Sequence, residues 1–177
     1  QMSGVENIFI NVNNAGYMDY RNTEDIADQG VYEISYYAKD NVGNAEQAKS
    51  IDFVVDVTAP VSNLNINGVT DENVIAESSK IYILAEDNSA GVRRIYYKFD
   101  DEDFKRYNES AINFAYLDDG DLTLTYYSDD NVDNVEEAKV LNFYFDKTAP
   151  LMAADVLGDR FVVDEQVYFS GRTKLKL

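Results

Sequence analysis

The sequence contains no cysteine, no histidine and no tryptophan, and only two prolines among its 177 residues. The missing cysteine and histidine exclude disulfides, thiol nucleophiles, imidazole bases, zinc fingers and haem ligation by either residue. An extracellular chain of this kind must be held by core packing, by metal ions or by covalent links other than disulfides. Basic residues are scarce as well: 15 Lys and Arg stand against 33 Asp and Glu, a formal charge of −18. A chain this acidic does not bind nucleic acid or an anionic membrane through bulk electrostatics. No stretch approaches the roughly 18 apolar residues of a membrane span, so no direct membrane insertion is expected. No signal peptide is visible either, and the chain reads as an interior piece of a longer one. What is present is ordinary for a folded protein: 45% hydrophobic residues, with 14 Tyr and 9 Phe. Such rings suit half-buried pleated surfaces.

The chain also repeats itself. Tyr36–Pro60 aligns without a gap to Tyr126–Pro150, 90 positions later, and 14 of the 25 positions are identical. A fixed period of this length marks tandem modules. Both prolines, Pro60 and Pro150, close a Thr-Ala-Pro triplet. Proline lacks a ladder N–H and extends the residue before it, so each triplet ends a strand and hands the chain to the next unit. The expected division is therefore 1–60, the C-terminal part of a first module; 61–150, a complete module; and 151–177, the start of a third. SGVENIFINV (Ser3 to Val12) matches AGVRRIYYKF (Ala90 to Phe99), and TKLKL (Thr173 to Leu177) matches SKIYI (Ser79 to Ile83). The first module is thus expected to lack its first two strands, and the third to stop in its second.

Within 61–150 the hydrophobic period is two. Strands are expected at Val61–Ile66, Lys80–Ala85, Arg94–Phe99, Leu122–Ser128 and Val140–Phe145, with weaker ones near Phe104–Tyr107 and Ile112–Tyr116. Asn67-Gly68, Asp87-Asn88-Ser89, Asp119-Gly120 and Asp130-Asn131 supply the turns. A helical turn is expected only around Asn44–Lys49. About seven short alternating strands give an all-β fold of tandem immunoglobulin-like β-sandwich modules of about 90 residues each.

The pattern SGVxxIxY…DG…YYAxDNVGNxE…FxxDxTAP resembles the bacterial Ig-like repeats found in tandem in large secreted and surface-anchored adhesin-type proteins. Related patterns occur in outer-membrane adhesin repeats and chitobiase C-terminal-like accessory domains. The likeness spans the chain and is strongest at Ala90–Val92, Tyr126–Glu136 and Phe143–Pro150. One departure is Asp133, where the first copy has Gly43; Asp tolerates a left-handed backbone better than most residues. The resemblance implies an extracellular or cell-surface location and work as a stalk, a spacer or a binding surface. Some bacterial surface Ig-like domains join Lys to Asn, and Lys98 and Lys139 are strand lysines, but the sequence places no partner for them.

Acidic positions are among those repeated. Asp40-Asn41 and Asp130-Asn131 follow the penultimate strand, Asp56 and Asp146 end the last strand, and Asp87-Asn88 follows the second strand of the central module. In an Ig-like sandwich the loops after the second and penultimate strands share one end, and the last strand leaves from the other. Head-to-tail stacking would then carry Asp56 toward Asp87, Asn88, Asp130 and Asn131. Oxygens from three segments could surround a Ca²⁺ ion, which takes roughly six to eight of them. Asp146 would serve a second joint, with partners beyond Leu177. The other reading is plain turn chemistry, since Asp and Asn accept hydrogen bonds from their own backbone two residues on. No EF-hand spacing is present.

Catalysis is not expected. These acids recur in related modules, whereas a glycosidase pair is built once in one cleft, and no nucleophile elbow or phosphate loop occurs. The partners expected are neighbouring repeats of the same chain and a host, cell-surface or glycan ligand. Tyr96, Tyr127 and Tyr144 should face outward, either to stack on sugars or proteins or to form cross-strand ladders. Asn108-Glu109-Ser110 fits the glycosylation sequon. Two functions from different classes follow: a surface stalk or adhesin stiffened by calcium, or an accessory carbohydrate- or protein-binding module of a secreted enzyme.

Overall fold

The computed structural model describes residues 3–21 and 26–177, and every regular element among them is a strand. β1 (Val5–Val12), β2 (Met18–Asp19), β3 (Gly30–Asp40) and β4 (Lys49–Val55) form an antiparallel sheet in the order β2-β1-β3-β4. Next come β5 (Val61–Asn67), β6 (Thr70–Asp71), β7 (Val74–Ala76), β8 (Lys80–Glu86), β9 (Val92–Phe99), β10 (Lys105–Arg106), β11 (Gly120–Asp130) and β12 (Lys139–Asp146). They build a two-stranded β5-β8 sheet and a facing sheet ordered β10-β9-β11-β12-β7-β6. Finally β13 (Asp155–Leu157) pairs with β16 (Lys174–Lys176), and β14 (Arg160–Val163) with β15 (Gln166–Phe169). The fold is an all-β, Ig-like sandwich.

Period-two alternation places the core. Ile81 and Ile83 point inward from β8, Phe99 from β9, Leu122, Leu124 and Tyr126 from β11, and Phe143 and Phe145 from β12. Ile112 and Phe114, in the connection before β11, close the same cluster, and the Phe114 and Phe145 rings meet edge-on at 5.1 Å. Each such side chain stabilises the fold by about 1.5–3 kcal/mol through burial. Tyr96 and Tyr127, opposite each other in register, stack at 5.1 Å on the outer face, with Phe104 edge-on to Tyr127; Tyr144 is also exposed.

Several elements differ from expectation. The weak strand at Ile112–Tyr116 reduces to one bridge, Ile112 to Ile81, and that near Phe104–Tyr107 to β10. The helical turn around Asn44–Lys49 does not form. Ala45 bridges back to Lys39, as Val135 does to Asp129, because the Asp40 and Asp130 carboxylates take the Asn44 and Asn134 N–H groups and hold the loop open. The β6–β7 hairpin, and the parallel pairing of β7 with β12, carry too few residues for periodicity to show. Gly43 and Asp133 both adopt positive φ, 92° and 72°. The Asp that replaces glycine in the central copy therefore keeps the left-handed turn.

The sheet β1–β4 repeats the arrangement of β10-β9-β11-β12, including a bulge in the first strand at its pairing with the end of the third, near Asp40 and Asp130. Unlike the central copy, its equivalent inner face has no facing sheet among the described residues. Ile8 and Ile51 are 42% and 54% exposed there.

Candidate functional site

Asp56 follows the last residue of β4. Its Oδ1 accepts hydrogen bonds from the Thr58 N–H (3.1 Å) and hydroxyl (2.9 Å), a local turn that shapes the Thr-Ala-Pro exit. Its Oδ2 reaches out of the first segment and accepts from the Ala90 N–H at 2.7 Å. The Asp56 carbonyl in turn accepts from Asn134 Nδ2 at 3.2 Å. The end of one sheet is thereby stitched to two loops at the near end of the central sandwich.

Those loops bring two more carboxylates. Asp87, just after β8, accepts through Oδ1 from the N–H groups of Ser89 (2.9 Å) and Gly91 (2.7 Å). Its Oδ2 is buried and has no hydrogen-bond partner. Asp130 ends β11 and is fully buried. Its Oδ1 accepts from Val132 N–H (2.9 Å) and Asn134 N–H (2.8 Å), and its Oδ2 from Asn134 Nδ2 (2.7 Å). One oxygen from each of Asp56, Asp87 and Asp130 lies within 4.8 Å of the others. Burial alone pushes the Asp56 carboxyl up, but the Ala90 and Thr58 donors outweigh it and the net direction is down. For Asp130, burial again pushes up, as does the Asp56 charge, and the Asn134 and Val132 donors carry the net direction down. Both remain carboxylates at neutral pH, so negative charge accumulates at the joint.

The remaining expected residues lie differently. Asn88 is exposed on the same loop as Asp87. Asn131 spends its amide nitrogen on the Ala90 and Gly91 carbonyls (2.8 and 3.0 Å), and Asn41 makes the matching bond to the Ser3 carbonyl at 2.5 Å. Asp40 reproduces the Asp130 turn. The Asn44 side chain, with the Asn44 and Val42 N–H groups, holds its carboxyl down at about 2 against the opposing effect of burial. Asp146 accepts from the Thr148 N–H as Asp56 does from Thr58. Neither Asp40 nor Asp146 belongs to a three-acid cluster among the described residues.

Two features escaped the sequence reading. Asn134 holds Asp130 and reaches Asp56 at once. A second polar cluster ties β5 into the sandwich: Glu136 accepts from Ser62 N–H (2.8 Å), Ser62 hydroxyl (2.5 Å) and Ser128 hydroxyl (3.0 Å). Lys139 lies 2.6 Å from Glu136 and donates to the Ser62 carbonyl at 2.5 Å. A signal for both was present, because Asn44/Asn134, Glu46/Glu136 and Lys49/Lys139 are identical between the copies. The Tyr faces singled out above also miss a groove of about 640 Å³, which runs between β8 and β9 past Tyr82, Arg94, Arg106 and Tyr107.

No family model and no curated protein matches the chain. Among solved structures, the fibronectin(III)-like modules of CbhA from Clostridium thermocellum are similar, with 14% identity over 82% of this chain and 80% of that one, at a TM-score of 0.40.

Proposed function

We propose that the chain is a non-catalytic, tandem-repeat segment of an extracellular bacterial surface protein, a stalk or adhesin spacer. Its modules meet at Pro60 and Pro150, and Ca²⁺ stiffens the joint between the first two. The observation that carries this reading is the convergence of Asp56, Asp87 and Asp130 from both sides of one joint, with a buried Asp87 oxygen left without a hydrogen-bond donor. An unpartnered buried oxygen is costly in a folded protein unless something satisfies it. The donor set fits Ca²⁺: it is entirely oxygen, it is anionic, and the cation's loose geometry tolerates ligands drawn from three loops. Asp56 is the group that makes such binding mechanical, because it alone of the three belongs to the preceding segment. An ion held there would reduce repulsion among three like charges and fix the angle of the joint.

The test is thermal unfolding in Ca²⁺ and in chelator, with small-angle scattering on the same samples. An ion at one hundred times its dissociation constant raises native stability by about 2.7 kcal/mol, which should raise the melting midpoint and straighten the particle. Asp87→Asn keeps the side-chain shape and removes the charge, and should abolish both responses. Identical melting and identical scattering with and without Ca²⁺ would return these aspartates to turn chemistry.

A further inference from the structure

One stretch of the surface gathers positive charge against the sign of the whole chain. Three of the six arginines, Arg93, Arg94 and Arg106, line the groove of about 640 Å³ between β8 and β9, a size suited to a small ligand or to a few units of a longer one. Both walls belong to 61–150, away from either end of the sequence. Arg93 is spent inside the protein: its guanidinium pairs with Asp129 at 2.8 Å and with Asp133 at 2.5 Å. Arg94 and Arg106 are not. Arg94 donates to the Tyr96 hydroxyl at 3.1 Å and pairs with no carboxylate among the described residues. Arg106 makes no hydrogen bond or ion pair through its side chain among them, and both arginines are exposed. The acid on the rim, Glu109, pairs with neither. In a chain with 33 acidic residues, two neighbouring guanidinium groups without a carboxylate are the exception.

Neutral polar groups make up much of the remaining lining. Asn65 and Asn67, two apart on β5, fall on one face of that strand, and Tyr82 stands opposite Asn65 in register. Neither amide has a hydrogen-bond partner among the described residues, and each offers donors and an acceptor together, as sugar hydroxyls require. The half-buried Tyr82 ring adds an apolar surface that ends in a hydroxyl. At the floor, Tyr107 is 6% exposed and its hydroxyl is buried without a hydrogen-bond partner, a state that folded proteins seldom leave unmet. The backbone gives a peptide little to hold. The Ile81 carbonyl accepts from the Ile112 N–H, so by alternation Ile83 also turns its backbone groups away from β5. Ile83 is 2% exposed, however, and the Tyr107 hydroxyl stands toward its N–H without completing a bond. Strand addition is blocked there, and recognition falls to the side chains.

We propose that this groove binds an acidic sugar, with its anionic group on Arg94 and Arg106 and its hydroxyls on Asn65, Asn67 and Tyr82. A guanidinium holds its donors in a rigid fork that matches the oxygens of a carboxylate or a sulfate. The amides and the ring read the neutral part of the ligand, so charge alone does not fill the groove. The formal charge of −18 acts over the whole surface and repels long polyanions. The two unpaired arginines act within about 10 Å at 0.1 M salt and favour an isolated anionic group. The groove shares no residue with the Asp56, Asp87 and Asp130 cluster, so this binding needs no ion and is independent of the calcium reading.

The experiment is calorimetric titration of the 177-residue chain, in chelator, with a panel of disaccharides in neutral, uronate and sulfated forms and with an oligoglutamate peptide. An acidic disaccharide should bind at least about tenfold more tightly than its neutral form and than the peptide. Whether the uronate or the sulfated form binds better identifies the anion. Arg94→Gln/Arg106→Gln should erase the preference for the acidic form, and Tyr82→Ala should weaken acidic and neutral forms alike. These side chains lie at the surface or half-buried, and unchanged melting midpoints will show that the variants are folded. The proposal is overturned if no acidic disaccharide binds, if the neutral form binds equally well, or if the arginine variant keeps the wild-type affinity. It is overturned as well if oligoglutamate binds as tightly as the best disaccharide, which would make the groove a site for acidic peptides.

Discussion

Glu136→Ala provides a test with an internal control, because the same substitution can be made at Glu46, its sequence equivalent. At position 136 the carboxylate side chain is 8% exposed and serves the Ser62 N–H, two serine hydroxyls and the Lys139 ammonium. Removing it strands a buried amide donor and half of an ion pair. Leaving buried donors unsatisfied costs about 1–3 kcal/mol, which for a sandwich of this size lowers the melting midpoint by about 4 °C or more. At position 46 the partners are one Ala38 N–H and Lys49, all near the surface, and an exposed pair of that kind contributes little. Glu46→Ala should leave the midpoint of the central sandwich unchanged. Differential scanning calorimetry reads both. Burial pushes the Glu136 carboxyl up, but Lys139 and the serine donors carry it below the ordinary glutamate range. Its folded pKa is thus below its unfolded value of about 4.3. The stability it contributes is present above pH ~4.3 and is lost as the pH falls through the lower folded pKa. Glu136→Gln should flatten that acid limb. Equal midpoint losses at 46 and 136, or an acid limb untouched by Glu136→Gln, would refute the assignment of this cluster as the tie between β5 and the facing sheet.

Other expectations follow from the same packing. Phe145→Ala, at a fully buried ring facing Phe114, should cost about 3–5 kcal/mol in chemical denaturation. Asp133 sits at φ 72°, so Asp133→Gly should be close to neutral, while Asp133→Ala should cost about 1 kcal/mol for a left-handed residue without a local hydrogen-bonding side chain. Gly68→Ala would place a Cβ 2.5 Å from the Ser79 Cα; about 1–3 kcal/mol of overpacking should appear as a lowered midpoint.

Much of this molecule was legible in the sequence because its signals are periodic. Alternation located β8, β9, β11 and β12, and the repeat aligned β1, β3 and β4 with their central counterparts. The convergence of Asp56 with Asp87 and Asp130 followed from topology alone, since an Ig-like chain enters and leaves at opposite ends. What was not legible depends on contacts between elements. Val74–Ala76 is too short to show a period, and its parallel pairing with β12 is a tertiary fact. Ile112 looked like part of a strand because it is apolar, but it is held by one bridge and by the core. Glu136 is among the residues repeated between the copies, but nothing local reveals that Ser62, 74 residues earlier, closes over it.

The parallel contact between β7 and β12 has a mechanical consequence. The central sandwich is entered at Val61 and left after Asp146, from opposite ends, so tension along the chain pulls β5 and β12 in opposing directions parallel to their own axes. The bonds that join β12 to its neighbour, among them Tyr144 N–H to the Asn73 carbonyl at 2.9 Å and Glu77 N–H to the Asp146 carbonyl at 3.2 Å, lie across that direction. They are loaded together in shear and cannot be peeled one at a time. Opening the central sandwich by tension along the chain therefore requires those bonds to break together.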